Sequence, residues 1–247
     1  SLPDAYLEAT LTPAERETVR LAIERRIDTR LPAAYLTGKA WFAGLEFFVD
    51  ERVIVPRSPI AELVENAFQP WLGHREPLAI LDLCTGSGAI AIACALAFPE
   101  ARVVATDASA DALDVARINS DKHDIGPQVE YVEADLFDGL PAERFDLIVT
   151  NPPYIDPQDP HLGQGDVRFE PSSALVAADH GLADLFAIAE RARSFLQPGG
   201  WLLMEHGYEQ AERVREHLEA LGYVRCDSVH DLGGHPRVTL GQWGRQR

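Results

Sequence analysis

Behind Thr12, a residue able to cap a helix, and Pro13, suited to its first turn, the apolar positions Val19, Ala22, Ile23 and Ile27 recur at helical spacing. One amphipathic helix is predicted over 12–29. Next come two short extended runs, Trp41-Phe42-Ala43-Gly44-Leu45-Glu46-Phe47-Phe48-Val49 and Arg52-Val53-Ile54-Val55, with the polar turn Asp50-Glu51 between them. They predict a hairpin joining the front segment to the larger remainder of the chain. After Pro59, the spacing of Ala61, Leu63, Val64 and Ala67 predicts a second helix toward Trp71, ended by Gly73-His74-Arg75-Glu76-Pro77.

From Leu78 the pattern changes to short apolar runs alternating with helical stretches, the mark of βαβ units and a largely parallel sheet. Strands are predicted over 78–83, 102–106, 128–132, 145–150 and 201–205. The last two runs, 223–229 and 237–243, are separated only by a short connection containing Gly233-Gly234, so they should pair antiparallel. The expected fold is α/β, a seven-stranded, mostly parallel, Rossmann-like sheet. It resembles that of S-adenosylmethionine-dependent methyltransferases, an analogy that does not by itself establish chemistry. A partial helical N-terminal segment and connecting hairpin over 1–57 should precede the main domain over 58–247. Ser1 in place of an initiating Met leads us to expect a piece of a longer chain.

At 247 residues, 46% hydrophobic and 25% charged, the chain has room for one large α/β domain and a small appendage. A net charge of −17, from 22 basic and 39 acidic residues, disfavours free nucleic acid and favours basic protein partners. Cys84, Cys94 and Cys226 lie far apart without disulfide or metal-ligand spacing, so a reducing cytoplasm and no metal are expected. The apolar runs fall well short of the roughly 20 residues a membrane span needs, and no signal-peptide pattern is present.

The segment Leu81-Asp82-Leu83-Cys84-Thr85-Gly86-Ser87-Gly88 ends the first strand of the main domain and opens a helix over 89–97. Gly86 and Gly88 permit a tight turn and close approach of a ligand to the backbone, although a Gly-rich turn alone is weak evidence. Asp107 ends the next strand about 20 residues on, where a carboxylate can accept from both ribose hydroxyls. Asp135 follows the third strand, placed to accept from an adenine amino group while Leu136 flanks the ring. Ala91 stands where a dinucleotide loop would carry its third Gly, which argues against nicotinamide cofactors. Each Asp alone could be a helix cap; together with the glycines, at the ends of consecutive strands, they predict a nucleoside site.

Asn151-Pro152-Pro153-Tyr154 follows the fourth strand at the same edge. A planar amide or aromatic NH₂ is a poor nucleophile because its lone pair is delocalised. Two acceptors on that group, the Asn151 side-chain oxygen and the Pro152 carbonyl, would hold the nitrogen and favour charge build-up as it attacks an electrophilic methyl. Pro152 and Pro153 stiffen the loop, and Tyr154 offers a flat wall to a planar substrate. A dedicated general base is unnecessary, since the nitrogen releases its proton readily once methylated.

These motifs resemble the protein-(glutamine-N5) methyltransferases, which modify peptide-chain release factors or a ribosomal protein. The likeness extends to Tyr35-Leu36-Thr37-Gly38, Trp41-Phe42-Ala43-Gly44-Leu45, Val55-Pro56-Arg57-Ser58-Pro59-Ile60-Ala61-Glu62-Leu63, Asn119, and Phe169-Glu170-Pro171 leading to Ala174-Leu175. It implies S-adenosylmethionine as cofactor, held by Asp82, Cys84, Thr85, Gly86, Ser87, Gly88, Asp107, Asp135, Leu136 and Asn151. It also implies a protein substrate met by residues 151–154, Arg57 and Glu170, with Asn151, Pro152 and Tyr154 catalytic. The release-factor branch looks like Pro-Arg-Pro, an acidic residue and Thr-Glu at the Pro-Arg segment. Pro56-Arg57-Ser58-Pro59-Ile60-Ala61-Glu62 is more similar to the branch acting on the third protein of the large ribosomal subunit. A basic ribosomal protein is therefore the expected substrate, release factors the alternative. Adenine-N6 methylation shares the Asn-Pro-Pro-Tyr chemistry but not the charge balance. An idle cofactor-binding subunit would show a damaged loop, and here both loops are intact.

Overall fold

Runs such as Ile80, Leu81 and Leu83, or Val103, Val104 and Ala105, are fully buried, as strands covered on both faces must be. The computed structural model describes residues 9–73 and 75–244. Residues 1–8 of the expected N-terminal segment and His74 of the stretch expected to end the second helix lie outside them. The strands are β3 (Ala79–Leu83), β4 (Arg102–Asp107), β5 (Val129–Glu133), β6 (Phe145–Thr150), β7 (Leu196–Glu205), β8 (Tyr223–His230) and β9 (Pro236–Trp243). They form one seven-stranded sheet in the order β5-β4-β3-β6-β7-β9-β8. The first five in that order run parallel, and β9 pairs antiparallel with both β7 and β8. Because β4 and β5 lie to one side of β3, and β6 and β7 to the other, the strand order reverses at β3/β6. The crevice outside the carboxyl ends of those strands is where such sheets bind ligands.

Before the sheet come α1 (Pro13–Thr29), α2 (Ala33–Thr37), a hairpin of β1 (Ala40–Phe42) and β2 (Leu45–Phe47), α3 (Ile60–Glu65) and α4 (Gln69–Leu72). Between and after the strands come α5 (Ala89–Ala97), α6 (Ala110–Lys122), α7 (Ala183–Phe195) and α8 (Ala211–Ala220). The hairpin differs from the expected one. Its turn is Ala43-Gly44, both at positive φ (47° and 72°), the conformation a two-residue turn needs to match strand twist. Arg52 does close on Asp50, at 2.6 Å, so the chain turns there, but residues 52–55 form no strand.

The helix expected from Pro59 to Trp71 is two helices. Ala67 and Phe68 adopt left-handed φ values of 48° and 49°, and the buried Phe68 stacks on Phe98 at 6.3 Å. Burying that ring breaks the helix. In α1 the expected cap is present, Thr12 and Glu15 bonding reciprocally. The expected burial is not: none of its residues is buried, and Ile23 and Ile27 are 54% and 58% exposed.

The hairpin and the sheet share one core, in which Phe42 and Phe47 sit with Ile80, Ile92 and Leu147. A smaller cluster of Tyr35, Ala40, Val49 and Val53 packs on Ala112 and Val115 of α6. Buried Asn119 fastens the two together: its Oδ1 accepts from the Phe48 amide (2.6 Å), and its Nδ2 donates to the carbonyls of Phe48 and Ser87 (both 2.9 Å). The front segment is thereby tied to the glycine loop.

Candidate active site

The loop after β3 is shaped by backbone strain and one buried carboxylate. Cys84, Gly86 and Gly88 all have positive φ (58°, 54° and 79°). A Cβ on Gly88 would lie 3.0 Å from the Cβ of Ala116, so this glycine lets α5 and α6 meet; one on Gly86 would meet no protein atom within 4 Å. Asp82, fully buried beneath the loop, accepts from the Thr85 hydroxyl (2.6 Å) and the Ala91 amide (3.0 Å) through Oδ2. Its Oδ1 is buried without a partner among the described residues, and burial pushes the carboxyl up to about 7.

At the switch point lies a cleft of about 260 Å³, lined among others by Cys84, Gly86, Asp107, Asp135, Leu136, Asn151 and Pro153. Three sequence motifs far apart in the chain thus converge. Asp107 accepts from the amides of Gly86 and Ser109, each at 2.9 Å, which aims it across the loop; burial raises its pKa. Asp184, in the first turn of α7, also lines the cleft, where burial and the charge of Asp135 raise its pKa. No motif surrounds Asp184, and sequence reasoning missed it. Arg52 at the rim is neutralised by Asp50, so the cleft's net character is acidic. Asp82, Thr85, Ser87 and Gly88 stand behind the lining, Thr85 and Ser87 being buried. They shape the loop.

A larger cavity, about 620 Å³, opens beside the amino ends of β3 and β6, around Pro77, Asp146, Gln197 and Trp243. It contains none of the motif residues, and the chemistry belongs to the smaller cleft.

The loop after β6 is held from several sides. Pro152 is buried, while Asn151 and Pro153 are half-buried at the cleft. The Tyr154 amide donates to the Leu175 carbonyl (3.2 Å), and its own carbonyl accepts from Gln210 Nε2 (2.9 Å). Its hydroxyl donates to Glu205 Oε1 (2.9 Å), and burial pushes the phenol's pKa upward.

Arg57 and Glu170, expected to face the substrate, face each other. Both oxygens of Glu170 accept from the guanidinium, at 2.5 and 2.6 Å, and Oε1 also accepts from the Val55 amide (3.1 Å). The Glu170 side chain is 0% exposed, which removes it from contact with an incoming protein; that of Arg57 is 52% exposed. Ser58, expected to belong to a substrate-selecting segment, also points inward. It is 7% exposed, donates to Glu205 and accepts from the Ile60 amide (3.1 Å). A side chain turned into the core cannot read a substrate by contact.

The donor set suits S-adenosylmethionine: carboxylates for ribose hydroxyls and an adenine amino group, an acidic cleft for a sulfonium and an ammonium, and open space over Gly86. Comparison with known proteins agrees. A family described as "Methyltransferase small domain" matches residues 66–166. Among solved structures, a methyltransferase from Pyrococcus furiosus superposes with a TM-score of 0.59 at 18% identity, covering 93% of this chain and 98% of that one. The Thermus thermophilus 16S rRNA N2 G1207 methyltransferase, solved with AdoMet and guanosine, gives 0.56 at 21% identity, covering 83% of this chain and 49% of that one. At such identities these two speak for the fold. Fold, cleft and family match together define an S-adenosylmethionine-dependent methyltransferase.

Curated relatives narrow the class. The release factor glutamine methyltransferase of Xylella fastidiosa (strain 9a5c) is 44% identical over 232 residues, 94% of this chain and 83% of the relative. That of Escherichia coli (strain K12) is 42% identical over 239 residues, 97% of this chain and 85% of the relative. The chain belongs to the protein-(glutamine-N5) methyltransferase family.

Proposed function

We propose that this protein transfers a methyl group from S-adenosylmethionine to the side-chain nitrogen of a glutamine in a peptide-chain release factor. The observation that carries the reading is the meeting of Asn151 and Pro153 with Asp107 and Asp135 in one cleft. Release factors are chosen as substrate because the relatives similar over most of the chain are named for them. Within the 56–62 segment, whose resemblance pointed to a ribosomal protein, Ser58 is buried and reads no substrate by contact.

In this reading Asp107 accepts from the ribose hydroxyls, Asp135 from the adenine amino group, and Leu136 packs on the ring. Cys84, Gly86 and the cleft face of Asn151 complete the cofactor site, while Asp82, Thr85, Ser87 and Gly88 hold the loop's shape. When bound, S-adenosylmethionine supplies an electrophilic methyl on a sulfonium. Asn151 Oδ1 and the Pro152 carbonyl accept from the glutamine NH₂, orient its lone pair and stabilise the positive charge growing on nitrogen. The two prolines keep these acceptors from relaxing, Pro153 and Tyr154 confine the planar amide, and the extra proton leaves to water. Arg57 and Glu170 tie the 55–57 segment to the one before Pro171.

The test is methyl transfer to an isolated release factor, to the third large-subunit ribosomal protein and to duplex DNA, at two salt concentrations, with acceptor residues mapped by mass spectrometry. We expect glutamine methylation of the release factor to be preferred. The charge of −17 favours encounter with a basic ribosomal protein, so salt-sensitive transfer that prefers the ribosomal protein would reverse the substrate assignment. Methylated adenine would overturn the protein-substrate reading.

A further inference from the structure

Glu205 ends β7 with 3% of its surface exposed, next to the loop proposed to hold the acceptor. One of its oxygens accepts from the Tyr154 hydroxyl (2.9 Å), and the other accepts from the Ser58 hydroxyl. Arg237, on β9, donates to the Tyr154 hydroxyl (2.9 Å), lies 3.5 Å from Glu205 Oε1 and places its guanidinium 5.7 Å from the centre of the Tyr154 ring. Residues from three separate segments therefore meet on one buried carboxylate. Burial pushes Glu205's pKa up, and the bonds from Ser58 and Tyr154 and the charge of Arg237 oppose that.

Stability does not call for such a group, because well-packed apolar residues commonly replace buried ion pairs without loss. What this arrangement supplies is orientation. The Tyr154 backbone is fixed by Leu175 and Gln210 and its ring packs against the core, so the two bonds at its hydroxyl fix the far end of a ring already held at its base.

We propose that Glu205, with Arg237 as its counter-ion, is a positioning residue that locks the Tyr154 ring and so sets the wall against which the acceptor amide is held. The proposal rests on the assignment of residues 151–154 as the acceptor loop. Glu205 is not among the residues lining the cofactor cleft; its influence passes through the Tyr154 hydroxyl. Ser58 gives the same carboxylate a link to the segment braced by Arg57 and Glu170.

The test compares Glu205→Gln, Tyr154→Phe and the double variant, measuring kcat, acceptor KM, cofactor Kd by calorimetry and thermal unfolding. We expect each single variant to lower kcat about 10- to 100-fold, as a misplacement of about 1 Å can do, with cofactor Kd within about two-fold of wild type. The double variant should be no slower than the slower single, because both act on the Tyr154 hydroxyl: Gln takes the charge from the acceptor, and Phe removes the donor. A kcat near wild type in Glu205→Gln, multiplying effects in the double variant, or a matching loss of cofactor affinity would each overturn the proposal. Should Glu205→Gln fail to fold, Tyr154→Phe removes the same bond from the other side, and full kcat there is equally decisive against it. Asn151→Ala run in parallel separates the two levels. If Asn151→Ala keeps its turnover, the acceptor loop itself is misassigned; if it loses turnover while Glu205→Gln does not, only the positioning role fails.

Discussion

Replacing Asp107 by Ala removes an acceptor that the structure uses internally and that the proposed cofactor site uses externally. Internally, the amides of Gly86 and Ser109, each 2.9 Å from the carboxylate, lose their partner. Both residues line the cleft, so water can reach them, and the cost to folding should stay near the lower end of the roughly 1–3 kcal/mol for a stranded donor. Externally, hydrogen bonds from hydroxyls to a charged acceptor contribute about 1.5–3 kcal/mol. At about 1.4 kcal/mol per decade, that is a rise in cofactor Kd of roughly 10- to 150-fold. Calorimetric titration with S-adenosylmethionine measures the external part, and thermal unfolding without ligand measures the internal one. Asp107→Asn serves as the comparator, keeping the volume but losing the charge and one acceptor, and should fall between the two. The reasoning fails if the folded Ala variant binds the cofactor as tightly as wild type.

Asn151→Ala should leave cofactor affinity within a few-fold while lowering turnover by roughly 100-fold or more, as when a transition-state acceptor is lost; steady-state kinetics beside calorimetry decides it. Asp82 makes a pH prediction. With its folded-state pKa raised to about 7, the folded protein binds a proton more tightly than the unfolded chain between about pH 4 and 7, so this group makes stability fall as pH rises through that window. Asp82→Asn should therefore gain on wild type from pH 5 to pH 7.5 in cofactor-free urea unfolding, and a pH-independent difference would show that the carboxyl is not buried as described.

The strands were legible because residues such as Ile80, Val104 and Ile148 must be apolar on both sides of a covered sheet. The breaks that were missed lack such a signal. Ala43 and Phe68 are not residues that announce a left-handed turn, and Phe68 adopts it with its ring stacked on Phe98, a contact invisible in one dimension. In the site, Asp107, Asp135 and Asn151 could be placed because each ends or follows a strand, so topology alone brings them to one edge. Asp184 could not, since it reaches the cleft from the first turn of a helix whose direction the sequence does not encode locally. Arg57, Ser58 and Glu170 belong to a pattern visible in the sequence, but a pattern does not say which way a side chain points. Two of the three point inward.

Helix α1 carries a consequence for motion. It buries no residue, and among the described residues what holds it is mostly local: the Thr12 and Glu15 cap, the Arg20 pairs with Glu17 and Glu24, and Arg26 reaching the carbonyl of Arg30, with one exposed ion pair, Arg26 to Asp166, reaching beyond it. A helix of 17 residues with only such support is marginal in water, and exposed ion pairs add little to it. Its opening is therefore uncoupled from that of the sheet. Amide protons of α1 should exchange through local fraying that costs a small fraction of the global unfolding free energy, while those of β3 and β6 wait for the whole fold to open.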